Sequence, residues 1–272
     1  MQELQERLGS IAIIGGGQMG EAIVAGLVAG SGFNADMVFV AEPFESRREV
    51  LSELYKVRCV EDGSMLDNSD TVILAVKPQI FGNVAADLIA SDGFAPKRVV
   101  SIAAGITTSV MTGFFSDCAV VRVMPNINLV VSSGMSVVAP AAGTSMQEAE
   151  LVCELFGLMG KAVIVDERLI DVATAASGSG PAYFALLVEE LTNSGIAAGL
   201  PEELAKMLVR QTIIGTGRHL ELKEIAPEEL RAAVTSPNGT TEAAIECFMA
   251  QGFDQVVNNA FKACIRRAEE LG

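Results

Sequence analysis

The feature that most restricts the fold is a glycine-rich loop near the start of the chain. Gly15, Gly17 and Gly20 follow the G-x-G-x-x-G pattern, between the apolar run Ile11–Ile14 and a segment with helical periodicity. Glycine at these three positions permits a tight turn, lets a pyrophosphate approach the backbone and lets a helix pack closely on a strand. The sequence therefore predicts a dinucleotide-binding strand–loop–helix unit, the alternative being an ordinary glycine-rich turn.

Up to about residue 165, short apolar runs alternate with segments of helical periodicity. This alternation is typical of βαβ units that build a mostly parallel sheet with helices on both faces. Most runs are continuously apolar, as expected for strands covered on both sides. The predicted strands are Ile11–Ile14, Met37–Ala41, Thr71–Val76, Arg98–Ile102, Ala119–Val123, Met135–Ala139 and Ala162–Val165.

Beyond residue 166 only helical patterns follow. Pro181, Pro201 and Pro227 each stand where a helix can begin, and Gly199 and Gly252 each stand where one can end. The predicted helices are Glu167–Ala176, Pro181–Ala198, Pro201–Leu220, Pro227–Val234, Gly239–Ala250 and Phe253–Leu271.

The fold class expected is therefore α/β, in two domains. Residues 1–165 are expected to form a Rossmann-type dinucleotide-binding domain, and residues 166–272 an all-helical domain. Half of the residues are hydrophobic, and such a high apolar fraction also indicates a large subunit interface.

Charge and rare residues restrict the function further. Asp and Glu outnumber Lys and Arg by 34 to 19, so the surface would repel nucleic acid and anionic lipid, and neither is expected as a partner. His219 is the only histidine, which excludes Ser-His and Cys-His catalysis, and no metal is expected. Five cysteines without a CxxC pair and a charged N-terminal segment predict a cytoplasmic protein.

The segment after the second predicted strand contains candidates for recognising the adenosine ribose. Glu42 stands where an acidic side chain suits the two hydroxyls of NAD and repels a 2′-phosphate. Arg47 and Arg48 follow closely and could instead contact that phosphate, or all three could be solvated residues at a helix start. The choice between NADH and NADPH stays open, with NAD slightly favoured.

Two segments of the helical region contain more glycine, serine and threonine than helices require. "SGSGPAYF" spans Ser177–Phe184, and "SPNGTT" spans Ser236–Thr241. The second segment precedes an apolar-periodic helix and is typical of a well-formed helix N-terminus. The alternative is a second anion site, in which the N–H groups of Gly239, Thr240 and Thr241 face a substrate carboxylate.

Taken together, these motifs resemble a known family. The glycine loop, "LAVKP", "VRVMPN", "SGSGPAYF" and "SPNGTT" occur in the order and spacing of pyrroline-5-carboxylate reductase, and the resemblance runs from Ile11 to about Arg266. It implies reduction of 1-pyrroline-5-carboxylate to L-proline with NADPH or NADH, the last step of proline biosynthesis. It also implies a Rossmann domain and a helical dimerisation domain that interlocks with a partner's, in homodimers that often assemble five at a time into decamers.

The resemblance and the loop pattern together give the expected site residues. Those expected to bind the cofactor are Ile14, Gly15, Gly16, Gly17, Gln18, Met19, Gly20, Glu42, Ala75, Val76, Lys77, Pro78, Ile102, Ala103 and Ala104. Those expected to bind the substrate are Glu167, Gly239, Thr240 and Thr241, and the expected catalytic residues are Thr241 and Ser236.

The expected chemistry explains why no histidine is needed. A protonated cyclic imine is already electrophilic, so the enzyme has mainly to position it against the nicotinamide. The hydroxyl of Thr241, reaching the site from a neighbouring subunit, would hydrogen-bond the ring nitrogen and assist proton transfer. Glu167 matches a substrate-proximal acid of the family, and its alternative role is a surface charge that caps the helix following it.

Three positions depart from the family pattern. Ile127-Asn128 stands where Thr-Pro is usual, Asn238 replaces the first glycine of Ser-Pro-Gly-Gly, and Asp62 replaces a common asparagine near the adenosine end. Asparagine tolerates a positive φ better than most residues, so the turn at Asn238 is expected to persist. Asp62 would add to the repulsion of a 2′-phosphate.

Two other functions remain open from the sequence. A 3-hydroxyacid dehydrogenase or a related imine reductase shares the two-domain plan, but hydroxyacid chemistry generally uses a lysine acid/base, and Lys206, Lys223 and Lys262 lie outside any polar glycine-bounded motif. The second alternative is a catalytically silent dinucleotide-binding scaffold, which would bind the cofactor without turnover.

Overall fold

Strands and helices alternate through the first part of the chain. A computed structural model describes residues 2–63 and 69–271. The elements up to residue 173 are α1 Gln2–Leu8, β1 Ile11–Ile14, α2 Gln18–Ala25, β2 Val38–Ala41, α3 Glu45–Tyr55, β3 Arg58–Val60, β4 Thr71–Leu74, α4 Pro78–Ala90, β5 Arg98–Ser101, α5 Thr108–Phe114, β6 Ala119–Met124, β7 Gly134–Pro140, α6 Met146–Gly157, β8 Gly160–Ile164 and α7 Ile170–Ala173.

The eight strands form one sheet in the order β3-β2-β1-β4-β5-β6-β7-β8. Neighbouring strands are parallel except for β6 and β7, which are antiparallel. Ile14, the last residue of β1, is paired with Ala41 of β2 and Leu74 of β4. The order reverses direction between β1 and β4, and the crevice at the carboxyl ends of such strands is where doubly wound sheets bind ligands.

The predicted βαβ alternation is confirmed, with two additions that the sequence pattern did not indicate. Strand β3 has three residues, and its first residue, Arg58, is exposed, so it shows no continuous apolar run. Helix α1 buries only Leu8, so it has no apolar stripe that periodicity could reveal.

The single helix predicted over Glu167–Ala176 is a 3₁₀ turn at Glu167–Leu169, then α7, then a π-helical turn at Thr174–Gly178. In this stretch the hydroxyl of Thr174 donates to the carbonyl of Ile170, 2.7 Å away, and the hydroxyl of Ser177 donates to the carbonyl of Ala173, 3.0 Å away. Such bonds from Ser and Thr to the preceding turn bend helices, so the irregular winding has a local cause.

The remaining elements are helices, as predicted: α8 Gly180–Ala197, α9 Glu202–Lys223, α10 Pro227–Ala233, α11 Thr240–Ala250 and α12 Phe253–Leu271. Gly199 and Gly252 follow α8 and α11 with φ of +104° and +74°, which confirms their predicted role at helix ends. Of the described residues in α8–α11, only Gly180 and Ala205 are buried. These helices expose apolar side chains, among them Phe184, Leu186, Met207, Ile214 and Met249.

The chain divides into two units, one comprising Met1–Ser179 and Cys264–Gly272 and the other Gly180–Ala263. Helix α12 begins in the second unit and ends in the first, where the side chains of Ser179 and Cys264 are 3.3 Å apart. The domain boundary at residue 165 stays a prediction based on the loss of strand pattern.

Within residues 2–63 and 69–271, no helix is both long and apolar enough to cross a membrane. The same residues contain no cluster of three His, Cys, Asp or Glu side chains able to hold a metal ion. The five cysteines are free thiols.

Asp70 connects the starts of three central strands. Its carboxylate accepts from the backbone N–H of Ser10 at 3.0 Å, next to β1, and pairs with the ammonium of Lys97 at 2.8 Å, next to β5. The hydrogen bond from Lys97 is the main cause that lowers the pKa of the Asp70 carboxyl, against the opposing effect of burial.

We expect Asp70→Asn to remove an acid-sensitive part of the stability. Because the pKa is lower in the folded chain, this contribution is fully present above the unfolded carboxyl value of about 4 and is lost as the pH falls through the folded value. Urea unfolding between about pH 6 and pH 3 should show the difference between wild type and variant, on the order of 1 kcal/mol, shrinking towards acid. Asp92→Asn at an exposed position is the control, and a pH-independent difference at Asp70 would contradict the prediction.

Candidate functional site

The glycine loop joins β1 to α2 in the way that its spacing predicts. Gly15 has φ of +106°, and a Cβ there would lie 2.6 Å from the carbonyl oxygen of Ala75 at the end of β4. A Cβ on Gly20 would overlap the carbonyl oxygen of Gly15. Glycine at these two positions is therefore required by the turn and by the close packing of α2 on the loop.

Gly17 differs from the other two glycines because the protein does not fill the space beside it. It is exposed and is the N-cap of α2, and as a glycine it offers the helix no side-chain cap. A Cβ on Gly17 would meet no described atom within 4 Å. Open space in front of uncapped N–H groups is what a pyrophosphate needs at a helix N-terminus, so the loop fits a dinucleotide cofactor.

A cavity of about 410 Å³ lies beside this loop, at the carboxyl ends of β1, β2, β3 and β4. Its lining residues are Ile14, Gly15, Ala41, Pro43, Glu61, Asp62, Gly63, Val76, Ile80, Val84, Asp87 and Leu88. The cavity lies at the switch point of the sheet, where a doubly wound fold binds the adenosine half of a dinucleotide.

Three of the predicted cofactor residues, Ile14, Gly15 and Val76, line this cavity. The other predicted residues lie in the loop Gly16–Gly20, at the end of β2, or after β4 and β5. Lys77 is the exposed N-cap of α4, and the N–H of Ile102 donates to the carbonyl of Leu74 at 3.1 Å. The expected positions at the carboxyl edge are therefore observed, while the contacts of individual residues with a cofactor stay predictions.

The sequence did not indicate several residues that line the cavity. Glu61 follows β3, which the pattern missed. Ile80, Val84, Asp87 and Leu88 share one face of α4, and their spacing of three or four residues is the signal that could have grouped them.

Glu42 is only 6% exposed. Its two carboxylate oxygens accept from the N–H of Gly16 at 2.9 Å and from the N–H of Phe44 at 3.1 Å. The alternative of a solvated residue is therefore wrong for Glu42, because its charge is buried against the glycine loop.

The two arginines after β2 are also bound to backbone. Arg47 donates through Nε and Nη2 to the carbonyl of Gly16, at 3.0 and 2.9 Å, and its Nη2 pairs with Glu21 of α2 at 2.5 Å. Arg48 donates through Nη1 to the carbonyls of Glu42 and Pro43, at 2.9 and 2.8 Å. Neither arginine is a simply solvated residue of a helix start.

Tyr55 completes the contacts around Glu21. Its hydroxyl donates to the second carboxylate oxygen of Glu21 at 3.2 Å. Burial, together with the adjacent Glu21 carboxylate, raises the pKa of Tyr55, so the phenol stays protonated and remains a donor at neutral pH.

A second polar cluster surrounds Glu167. One of its carboxylate oxygens accepts from the N–H of Thr108 at 2.7 Å and the other from the hydroxyl of Thr108 at 2.5 Å. Arg122 of β6, only 4% exposed, pairs with Glu167 and with Asp171, both at 3.3 Å. The cluster connects the start of α5 to β6 and α7.

Glu167 does not cap the helical turn that it begins. Asp166 is the N-cap, with its carboxylate accepting from the N–H of Arg168 at 3.0 Å. The expected alternative role as a cap of that helix is therefore wrong, because the carboxylate instead binds the first turn of α5. The substrate-proximal role of Glu167 stays a prediction.

We expect Arg122→Gln to destabilise the first unit. The change leaves two carboxylates without their buried cation, and the loss of charged hydrogen bonds to a buried group costs about 2 kcal/mol or more. Urea unfolding should measure this loss. Arg168→Gln is the matched control: Arg168 is 87% exposed and pairs with Asp166, so its replacement should leave the free energy of unfolding unchanged. Equal losses of unfolding free energy in the two variants would contradict a stabilising role for the buried Arg122 ion pairs.

Asn126 connects the "VRVMPN" and "SGSGPAYF" segments. Its side-chain nitrogen donates to the carbonyl of Ser177 at 3.1 Å, and its side-chain oxygen accepts from the N–H groups of Asn128 and Met135, both at 3.2 Å. A proline in place of Asn128 could not donate this bond. The departure from Thr-Pro at Ile127-Asn128 thus adds a hydrogen bond that a proline would not supply.

The "SPNGTT" segment forms the N-terminus of α11. Asn238 has φ of +58°, which confirms that asparagine accepts the left-handed conformation of this turn. Its N–H donates to the carboxylate of Glu242 at 2.6 Å. A Cβ on Gly239, the N-cap residue, would lie 2.5 Å from the hydroxyl oxygen of Ser236, so glycine is needed here for close packing.

The N-cap residue of α11, Gly239, offers no side-chain cap to the first N–H groups of the helix. Thr240 is exposed and Thr241 is half-buried. These residues belong to the second unit, whereas the glycine loop and Glu167 belong to the first. The roles of Ser236, Gly239, Thr240 and Thr241 stay predictions.

Comparison with known proteins decides the family. Residues 167–271 match the family described as "Pyrroline-5-carboxylate reductase dimerisation", and residues 10–105 match "NADP oxidoreductase coenzyme F420-dependent". The chain is 38% identical over 263 residues to a pyrroline-5-carboxylate reductase from Synechocystis sp., covering 96% of this chain and 98% of the relative. The chain belongs to the pyrroline-5-carboxylate reductase family.

Solved structures agree with this assignment. A pyrroline-5-carboxylate reductase from Coxiella burnetii is 31% identical, with a TM-score of 0.89 over 97% of this chain and 99% of that chain. A pyrroline carboxylate reductase from Plasmodium falciparum, with NADP bound, is 26% identical, with a TM-score of 0.85 over 97% of this chain and 98% of that chain.

The predicted family and fold class are therefore confirmed. The N-terminal part is a Rossmann-type domain with a mostly parallel sheet, and the C-terminal part is the helical dimerisation domain of the pyrroline-5-carboxylate reductases.

Proposed function

We propose that this protein reduces 1-pyrroline-5-carboxylate to L-proline with NADPH or NADH, the last step of proline biosynthesis. It is an NAD(P)H-dependent oxidoreductase that acts on the C=N bond of a cyclic imine. The observation that carries the proposal is the 38% identity to a reductase of this name over 96% of the chain, because a match of this extent spans the glycine loop, Glu167 and the "SPNGTT" segment together.

The residues of the first unit bind and orient the cofactor, which supplies a hydride. The uncapped N–H groups at the start of α2 hold the pyrophosphate beside Gly17. Ala75–Pro78 after β4 and Ile102–Ala104 after β5 lie farther along the same carboxyl edge and line the rest of the cofactor. Small side chains at several of these positions let a ligand lie close to the strand ends.

The residues at the start of α11 bind the substrate. The N–H groups of Gly239, Thr240 and Thr241 hold its carboxylate, since a helix N-terminus favours an anion. The hydroxyl of Thr241 hydrogen-bonds the ring nitrogen and assists its protonation. Ser236 assists from the preceding turn, and Glu167 approaches the substrate from the first unit with its carboxylate fixed by Thr108 and Arg122.

Assembly follows from the dimerisation domain. The exposed apolar side chains of α8–α11 are covered by a second copy of the chain in a homodimer, and five such dimers form a decamer. The start of α11 then completes the site of the neighbouring subunit. Sedimentation of the purified protein measures its mass and so tests for the dimer and for the decamer. A stable monomer would contradict the proposal. Absence of nucleic acid and membrane partners, and a cytoplasmic location, remain predictions.

A lysine acid/base, which the hydroxyacid dehydrogenase alternative needs, is not supported at Lys206. This ammonium pairs with Glu202 at 2.6 Å and with Glu203 at 3.0 Å, and these hydrogen bonds raise its pKa. A lysine that exchanges protons near neutral pH needs a lowered pKa, so this residue is suited to a surface ion pair.

Steady-state oxidation of NADH and of NADPH with 1-pyrroline-5-carboxylate tests the function. Turnover with either cofactor, and formation of proline, is the expected result. Cofactor binding without turnover would instead support the silent scaffold, and turnover of a 3-hydroxyacid alone would support the dehydrogenase.

A further inference from the structure

The charges around the adenosine end of the cavity carry an inference about cofactor choice, which rests on the proposed function. We propose that this site selects NADH over NADPH, and that Glu21 is a specificity-determining residue because it fixes the guanidinium of Arg47 on the glycine loop and not at the ribose. Glu42 supplies the acceptor for the ribose, and the Glu21–Arg47 pair withdraws a cation that would bind a 2′-phosphate.

Glu42 places a fixed negative charge at the carboxyl end of β2. The N–H groups of Gly16 and Phe44 each use one lone pair of its carboxylate, and a carboxylate has about four acceptor sites. Each oxygen therefore keeps one unused acceptor site, which the proposed ribose contact requires. A 2′-phosphate at the same place would bring a second anion next to a buried one, which is unfavourable at short range.

Arg47 follows β2 closely in the sequence and is a candidate cation for neutralising such a phosphate. In the structure, however, its guanidinium already binds other groups of the protein. Its Nε and Nη2 both bind the carbonyl of Gly16, and Nη2 also pairs with Glu21. Glu21 is itself held by the hydroxyl of Tyr55. The guanidinium therefore supports the glycine loop, with its charge balanced by Glu21.

The other charged residues near the turn also disfavour a 2′-phosphate. The cavity lining contains Glu61, Asp62 and Asp87 and, among the described residues, no lysine or arginine. Arg48 lies at the turn after β2, where its Nη1 binds the carbonyls of Glu42 and Pro43. The net field at the adenosine end is negative, and it disfavours the additional charge of NADPH.

Fluorescence titration of the enzyme with NADH and with NADPH, in the absence of substrate, measures the selection directly. The wild type is expected to bind NADH about tenfold more tightly or better. Glu21→Gln keeps the side-chain size but removes the charge that balances Arg47, and it should tighten NADPH binding about fivefold while NADH binding changes less than about twofold. Glu49→Gln, an exposed position on α3, is the charge-matched control and should change neither.

Glu42→Gln gives a second, independent readout. It should weaken the binding of NADH and strengthen the binding of NADPH. The ratio of the NADPH to the NADH dissociation constant should therefore fall about tenfold or more. Should this buried change unfold the protein, the Glu21→Gln titration alone decides. Equal or tighter wild-type binding of NADPH, or an unchanged NADPH affinity in Glu21→Gln, overturns the inference.

The outcomes for cofactor choice and for reaction are separable. An enzyme that binds NADH selectively but does not reduce 1-pyrroline-5-carboxylate would refute the proposed function and leave the selection intact. An enzyme that makes proline with NADPH as readily as with NADH would refute the selection alone.

Discussion

Replacing Gly17 with alanine should weaken dinucleotide binding about 30-fold or more while leaving the fold intact. A methyl group there meets no described atom within 4 Å, and the φ of −67° suits alanine. The methyl would instead occupy the space through which a pyrophosphate approaches the start of α2. A loss of about 2 kcal/mol in binding corresponds to that factor, and titration with NADH measures it.

Substitutions at two other glycines separate a loss of cofactor binding from a loss of stability. Gly157→Ala, at the end of α6 and also in open space, should change neither binding nor thermal stability. Gly20→Ala should destabilise the fold itself, by about 2 kcal/mol or more, because its methyl would overlap the carbonyl of Gly15. Unchanged cofactor affinity in Gly17→Ala would mean that the cofactor does not approach this loop.

Thr241→Ala should lower kcat/KM for 1-pyrroline-5-carboxylate about 100-fold, with unchanged cofactor affinity. The expected loss is that of a positioned hydroxyl which hydrogen-bonds the reacting nitrogen and assists proton transfer. Thr241→Ser keeps the hydroxyl and should retain most of the activity. The measurement is steady-state reduction at saturating cofactor.

Thr235→Ala is the matched control for Thr241. Thr235 is half-buried, as Thr241 is, and its hydroxyl donates to the carbonyl of Arg231 at 2.6 Å, so it is the same residue type six positions earlier with a purely local bond. Its removal should leave kcat/KM unchanged within about twofold. Full activity in Thr241→Ala would end the proposed role of this hydroxyl and move the proton transfer to another group.

Local patterns were enough to predict the glycine loop, most strands and the C-terminal helices from α8 to α12. Each depends on neighbouring residues: Gly15, Gly17 and Gly20 act within six positions, and a buried strand such as Thr71–Leu74 is visible as an apolar run. Strand direction is not encoded in this way, which is why the antiparallel pairing of β6 with β7 appears only in the structure.

The contacts that the sequence could not indicate join distant positions. Glu21 pairs with Arg47, which lies 26 residues away, and Arg122 pairs with Glu167, which lies 45 residues away. Neither pair has a periodic signature, since the separation is set by how the sheet brings its elements together. This explains how Glu42 could be identified as a ribose candidate while its bond to Gly16 stayed hidden.

Helix α12 has a consequence for how the chain folds during synthesis. Because the first unit includes Cys264–Gly272 as well as Met1–Ser179, it is discontinuous in sequence. During synthesis, N-terminal segments generally fold before the rest has emerged. Here the sheet can form early, but its unit is complete only after the end of α12 has been synthesised. A chain interrupted within α12 would therefore leave both units incomplete.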